Sequence, residues 1–204
     1  MAPMTDSSLR HGLAAVGAVV LALGAAACGS SSPGGSSTKG PSTPAKEVSP
    51  SGDIPDNQAY VAFAPSGGGF SVKVPEGWAR RTAGGAVSFT DKLNTIRIES
   101  HAASAPLTAT QARGAELARL AQSVKGFKPG NVSTVTRKAG TAVRITYLAS
   151  SPADPVTGKT VTDAVERYVF FHKGRTVVLT LSGPKGADNV DPWRLVTDSV
   201  RWSA

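Results

Sequence analysis

Strict alternation of apolar and polar residues recurs along the C-terminal three quarters of this chain, and it constrains the fold more than any other feature. Phe70, Val72 and Val74 alternate with Ser71 and Lys73, and Ile96 and Ile98 with Arg97 and Glu99. Val143, Ile145 and Tyr147 alternate with Arg144 and Thr146, and Val177, Leu179 and Leu181 with Thr176 and Thr180. Side chains of a strand point to opposite faces in turn, so each segment predicts a strand with one buried face. The run Arg167-Tyr168-Val169-Phe170-Phe171 reaches the last strand through His172-Lys173-Gly174-Arg175, a spacing that predicts a hairpin with Gly174 at positive φ. Shorter strands are expected at Tyr60 to Phe63, Ala86 to Thr90 and Val132 to Thr136.

Two segments carry the helical period instead. Leu117, Leu120, Ala121 and Val124 fall on one face, with Arg113, Glu116, Arg119 and Gln122 lining much of the other. Thr108 or Thr110 caps the start, and Gly126 with Pro129 ends the helix. Asp191-Pro192 reads as an N-cap followed by proline at the first helical position, after which Trp193, Val196 and Val200 share a face. Strands, helix, strands, helix, joined by connections too short for parallel crossovers, predict an α+β fold: an antiparallel sheet sandwiched by helices.

The N-terminal quarter obeys different rules. An apolar run from Gly12 to Ala27 follows Arg10 and ends in the small residues Ala25, Ala26 and Ala27, directly before Cys28, the only cysteine. This is the layout of a signal peptide over 1–27. The pattern resembles the lipobox of bacterial lipoproteins, which implies cleavage between Ala27 and Cys28 and lipidation of the Cys28 thiol. An uncleaved anchor is the first alternative, but a run of about sixteen residues is short of the roughly twenty that a spanning helix needs. A plain secretory signal is the second; it leaves an unpaired thiol, since one cysteine forms no internal disulfide. Residues 28–53 are almost entirely Ser, Gly, Pro, Thr and Lys and read as a disordered linker. About 25 such residues span roughly 25 to 30 Å on average. The expected location is the cell membrane, lipid-anchored at the extracytoplasmic face.

Residues 54–204 are of the commonest size for one domain. The whole chain carries a formal charge of +8, and removing the signal takes away one cation, Arg10, with one anion, Asp6. Export excludes nucleic acid as the counter-charge and leaves an envelope protein, anionic lipid or wall polymer as partners. The basic residues are nevertheless dispersed, with Arg80-Arg81 and Arg137-Lys138 the adjacent pairs, which also fits a role in solubility alone.

The segment Phe70-Ser71-Val72-Lys73-Val74-Pro75-Glu76-Gly77-Trp78, a strand broken by Pro75 and Gly77 and closed by Trp78, resembles the opening motif of the PsbP-like superfamily. Val87-Ser88-Phe89-Thr90-Asp91 resembles the following strand, and Trp193 to Trp202, with Asp198-Ser199-Val200, the closing helix and its exit. The superfamily includes an extrinsic subunit of the photosynthetic oxygen-evolving complex and many bacterial envelope lipoproteins. The resemblance implies an antiparallel sheet between helices and an accessory, assembly or binding role. It supplies no catalytic residue.

Catalytic and metal chemistry find little support in the residues themselves. His101 follows a strand and His172 lies in a turn, and no Gly-x-Ser-x-Gly elbow marks a nucleophilic serine. Asp188-Asn189-Val190-Asp191 groups oxygen ligands but lacks the spacing and closing Glu of an EF-hand; Asp191 as a helix cap with Asp188-Asn189 as the preceding turn explains it better. No cofactor motif is present. Two stretches are candidate partner surfaces: the loop Ser151 to Lys159, with Asp154 and Lys159, and the corner formed by Trp78, Arg80 and Arg81. The function expected is a non-catalytic binding or assembly accessory. A carrier of a lipid or other apolar envelope molecule is the first rival, and a hydrolase with an unrecognised site the second. If Cys28 carries the lipid, Cys28→Ala moves the protein from the membrane to the soluble fraction; a variant that stays wholly membrane-bound and unprocessed refutes the lipobox reading.

Overall fold

The computed structural model describes residues 51–154 and 156–203. The signal peptide over 1–27, Cys28 with its cleavage site, and the linker up to residue 50 lie outside the described residues. Ten strands and two helical segments follow one another. They are β1 (Tyr60–Phe63), β2 (Phe70–Pro75), β3 (Ala79–Ala83), β4 (Ala86–Asp91) and β5 (Asn94–Ala102), then a long helix, then β6 (Lys128–Arg137), β7 (Gly140–Ser150), β8 (Thr162–His172) and β9 (Arg175–Pro184), then a C-terminal helix (Val190–Asp198) and β10 (Arg201–Trp202). Seven strands form one antiparallel sheet in the order β3-β4-β5-β9-β8-β7-β6, and β1, β2 and β10 form a small second sheet.

The alternation resolves into two cores on opposite faces of the large sheet. On one face Phe89, Ile96, Ile98, Tyr168, Phe170, Val177, Leu179 and Leu181 meet Phe63, Phe70, Val72 and Val74 of the small sheet and Trp193, Val196 and Val200 of the C-terminal helix. On the other face Val143, Ile145, Tyr147, Val165, Val169 and Val178 meet Ala112 and Leu120 of the long helix. β9 serves both: Val177, Leu179 and Leu181 are fully buried on one side and Val178 is buried on the other. The β8–β9 turn takes positive φ at both Lys173 and Gly174, the geometry of a two-residue hairpin whose twist matches its strands. Four predicted strands therefore bury the faces expected of them.

The helical details differ from expectation in two places. The long helix consists of Ala109–Gln111, a π-helical turn over Ala112–Glu116, and Leu117–Ser123, with Thr108 forming a capping box with Gln111. The wider turn rotates the preceding residues relative to an ideal period, so Ala112 joins Leu120 in the core while Ala121 is exposed. In the C-terminal helix the N-cap is Asn189, not Asp191, which lies in the first turn. The Asn189 side chain caps nothing, because it is committed elsewhere.

That commitment is a buried clasp. Asn189 Nδ2 donates to Gly52 O at 2.9 Å and to Asn94 Oδ1 at 3.0 Å, while its Oδ1 accepts from Ile54 N at 2.8 Å. Asn94 Nδ2 donates to Gly52 O at 2.8 Å. Gly52 has φ +100 and packs so tightly on Pro184 that a Cβ there would collide with the ring. Residues 51–53, assigned to the linker by composition, are thus built into the fold: too little apolar surface marks a linker, but backbone groups alone can anchor a chain when two buried amides meet them. Replacing Asn189 by Ala takes the partner from two buried groups, Ile54 N and Asn94 Oδ1, and we expect a loss of about 2 to 4 kcal/mol in urea unfolding, since each such orphan costs roughly 1 to 3 kcal/mol. A loss below about 0.5 kcal/mol contradicts the clasp.

Candidate functional site

The face that carries the long helix is only partly covered by it. The helix spans the β6 to β8 side, and over β4, β5 and β9 the sheet presents Thr90, Thr95, Arg97, Glu99, Thr180 and Ser182. Two hollows flank the helix along this uncovered strip.

The first, of about 660 Å³, lies beneath the loop between β7 and β8. Tyr147, Ala149, Asp163, Val165, Thr180 and Ser182 belong to the sheet beneath it; Val124 at the helix end, Leu93 and Lys92 of the β4–β5 turn, and Ser151 to Asp154, Thr157, Lys159 and Val161 of the loop complete its walls. The loop is held by its own polar groups. Asp154 Oδ1 accepts from Thr157 N at 2.7 Å, Thr157 Oγ1 at 2.9 Å and Val156 N at 3.1 Å, which keep its carboxyl below the ordinary range. Asp154 N donates to Lys159 O at 2.8 Å, and Ser151 and Val161 bond reciprocally, N to O and N to Oγ, both at 2.9 Å.

Asp163 stands at the start of β8, in phase with the apolar Val165 and Val169, and is only 6 % exposed. Its cross-strand neighbours are Ala149 on β7 and Pro184 on β9. Neither has a side-chain donor, and the buried Oδ1 has no hydrogen-bond partner among the described residues. Burial pushes its carboxyl above the usual range.

The second hollow, of about 770 Å³, is lined by Glu99, His101, Leu107, Gln111, Glu116 and Arg167 among others. An ion-pair belt forms its boundary toward the first. Arg167 pairs with Glu99 and with Glu116, both at 3.2 Å, and donates to Thr180 Oγ1 at 2.8 Å; Arg97 pairs with Glu99 at 3.1 Å and Arg119 with Glu116 at 2.7 Å. The Arg119 hydrogen bond, with Arg167 beside it, holds the Glu116 carboxyl low against its burial. Burial works to raise Glu99, but Arg97 and Arg167 outweigh it and keep it below the ordinary value. The acids of this hollow are consumed by arginines, whereas Asp163 is not.

The five partner-surface candidates separate. Asp154 and Lys159 line the first hollow, as the loop reading expects. Trp78 is half-buried against the opposite core and lines a different, smaller hollow of about 370 Å³ with Gly52, Ile54 and Asn94. Arg80 places its guanidinium 4.9 Å from the centre of the Phe63 ring, on the Trp78 side of β3, while Arg81 projects from the other face. Trp78, Arg80 and Arg81 therefore form no single surface, because adjacent strand residues point apart. Lys92 and Leu93 border both the loop hollow and the Trp78 hollow. His172 is not a free turn residue: it ends β8 and stacks on Trp202 at 5.1 Å. His101 is exposed beside the second hollow. Asp163 is not marked by the run Arg167 to Phe171; its signal lies in the same period carried back through Val165, which puts an acid on an apolar face.

No protein-family profile matches this chain, and no curated protein does. Among solved structures, the yeast Ran-binding protein Mog1p of Saccharomyces cerevisiae is 11 % identical, covering 71 % of this chain and 96 % of its own, with a TM-score of 0.47. LpqN of Mycobacterium tuberculosis, described as involved in cell envelope biogenesis, is 15 % identical, covering 73 % and 87 %, with a TM-score of 0.38. The cyanobacterial PsbP, CyanoP, of Synechocystis sp. PCC 6803 is 14 % identical, covers 80 % of this chain and 99 % of its own, and superposes with a TM-score of 0.54. That superposition shows that the described residues adopt the PsbP-like fold.

Proposed function

We propose that this chain is a non-catalytic binding factor, held at the extracytoplasmic face of the membrane by lipid on Cys28, whose working surface is the hollow beneath the β7–β8 loop. The observation that carries the reading is the loop itself. Eleven residues separate the strand ends Ser150 and Thr162, far more than a hairpin requires, and the described ones are tied to one another by hydrogen bonds while lining an open space. Rigid strands beneath an elaborated loop are the common arrangement of binding sites. The ionisable groups nearest the hollow do not form a nucleophile and base pair among the described residues: Asp163 Oδ1 is unpartnered there, and Asp154 is spent on its own turn. The N-terminal pattern at Cys28 and the PsbP-like fold agree with an accessory role in the envelope.

A second reading, a carrier of an apolar molecule, draws support from the same hollow, whose walls include Leu93, Val124, Tyr147, Pro152, Val161 and Val165. A photo-crosslinking side chain placed at Leu93 or Ala153 in intact cells tests the surface, with Leu195 on the C-terminal helix as the comparison position. Recurrent adducts from Leu93 and Ala153 that fall several-fold in Asp154→Ala support it. Adducts confined to Leu195 place the working surface on the opposite face and refute it.

A further inference from the structure

A hollow floored by apolar side chains usually leaves no polar atom without a partner, because burying a hydrogen-bonding group unpaired costs roughly 1 to 3 kcal/mol. Asp163 breaks that rule. It sits in register between Ala149 and Pro184, neither of which carries a side-chain donor. The surrounding charged and titratable groups are Tyr147 on β7, Lys92 in the β4–β5 turn, and Asp154 and Lys159 in the loop. None forms an ion pair with Asp163 among the described residues, and both lysines are exposed at the rim. The long helix contributes only Val124 to this space.

From this geometry we propose that the loop hollow binds a small apolar molecule bearing a hydrogen-bond-donating head, a hydroxyl or amine, which seats against the orphaned carboxyl of Asp163. The inference rests on the hollow being the working surface and names the chemistry it takes. A donor head supplies what Oδ1 lacks, while an ionised acid brings only acceptors and meets repulsion when Asp163 is charged. The apolar body then covers Tyr147, Val165, Val124 and Val161, replacing water over a surface that the long helix stops short of. About 660 Å³ suits a ligand of this class and is far too small for a folded partner domain.

An eight-carbon series tests the head group directly: octanol, octylamine and octanoate, titrated calorimetrically into the purified full chain at pH 7. Octanol and octylamine are expected to bind at least ten-fold more tightly than octanoate, and Asp163→Leu is expected to remove that preference. Val161→Trp, which fills the mouth of the hollow from an already exposed position, is expected to weaken all binding at least ten-fold with an unchanged Tm. Equal affinity for octanoate, a preference that survives in Asp163→Leu, or binding unaffected in Val161→Trp overturns the proposal. Absence of binding by all three compounds also overturns it, and if Leu93 crosslinks persist then, the working surface stands while the ligand class falls.

A measurement without ligand checks the same carboxyl. A raised folded-state value means that the folded chain keeps a proton the unfolded chain has released, so Asp163 lowers stability as pH rises from the ordinary carboxylate range through its raised value. Asp163→Asn removes that penalty: its Tm is expected to exceed that of the parent at pH 7, with the gap closing toward pH 4. A lower Tm for Asp163→Asn at pH 7 shows a partnered carboxylate and refutes the proposal.

Discussion

Everything in this fold leans on β9, a central strand that contributes to both cores and carries three side chains with no exposure at all. Val177, Leu179 and Leu181 lock the small sheet and the C-terminal helix to one side, and Val178 meets the long-helix core on the other. Because β9 pairs with β5 and β8, it also joins two hairpin systems that otherwise lie far apart in sequence. Burying a side chain of this size is worth roughly 1.5 to 3 kcal/mol, so a strand with four such residues outweighs any single polar contact in the molecule. The ion-pair belt and the amide clasp refine a structure that this strand already specifies.

Two partly buried carboxylates in the molecule are treated very differently by their surroundings. On the small-sheet side, Arg137 donates to Thr197 Oγ1 and to the Tyr168 hydroxyl, both at 3.0 Å, and Tyr168 in turn donates to Glu166 at 2.6 Å, with Arg144 pairing the same carboxylate. Burial, with the Glu166 hydrogen bond adding to it, pushes the Tyr168 hydroxyl up to about 12, so it stays a donor throughout the ordinary pH range. Here the half-buried Glu166 carboxylate is met by donors from both sides, although Arg144 Nε is itself buried without a partner among the described residues. Asp163 is buried more deeply, and its Oδ1 meets no donor among the described residues. The contrast separates a network that fixes packing from a group that packing does not explain.

The strand pattern was legible because period-two alternation is imposed by the pleat itself, and the segments around Val72, Ile98, Ile145 and Leu179 bury the residues that the alternation selects. The β8–β9 turn was legible for a similar reason, since Gly174 reports a local backbone requirement. What escaped depends on pairs distant in the chain. Asn94 and Asn189 look like turn residues until Gly52 is brought between them. Glu116 looks like a solvent-facing helix residue until a π-helical turn and Arg167 draw it inward. The loop over the first hollow was recognisable from its length, but its floor was not, because Asp163 gains meaning only from the two donor-free neighbours that register places beside it.

The amide clasp has a mechanical corollary. Gly52 is where the polypeptide coming from the N-terminal side joins the fold, and its carbonyl is gripped by Asn94, at the β4–β5 turn, and by Asn189, at the head of the C-terminal helix. Tension arriving along the chain is therefore shared between two distant parts of the scaffold instead of peeling β1 from its edge. One of those two anchor points directly follows Lys92 and Leu93, which wall the loop hollow. A pull on the N-terminal segment and the shape of that hollow are connected through a single tight turn.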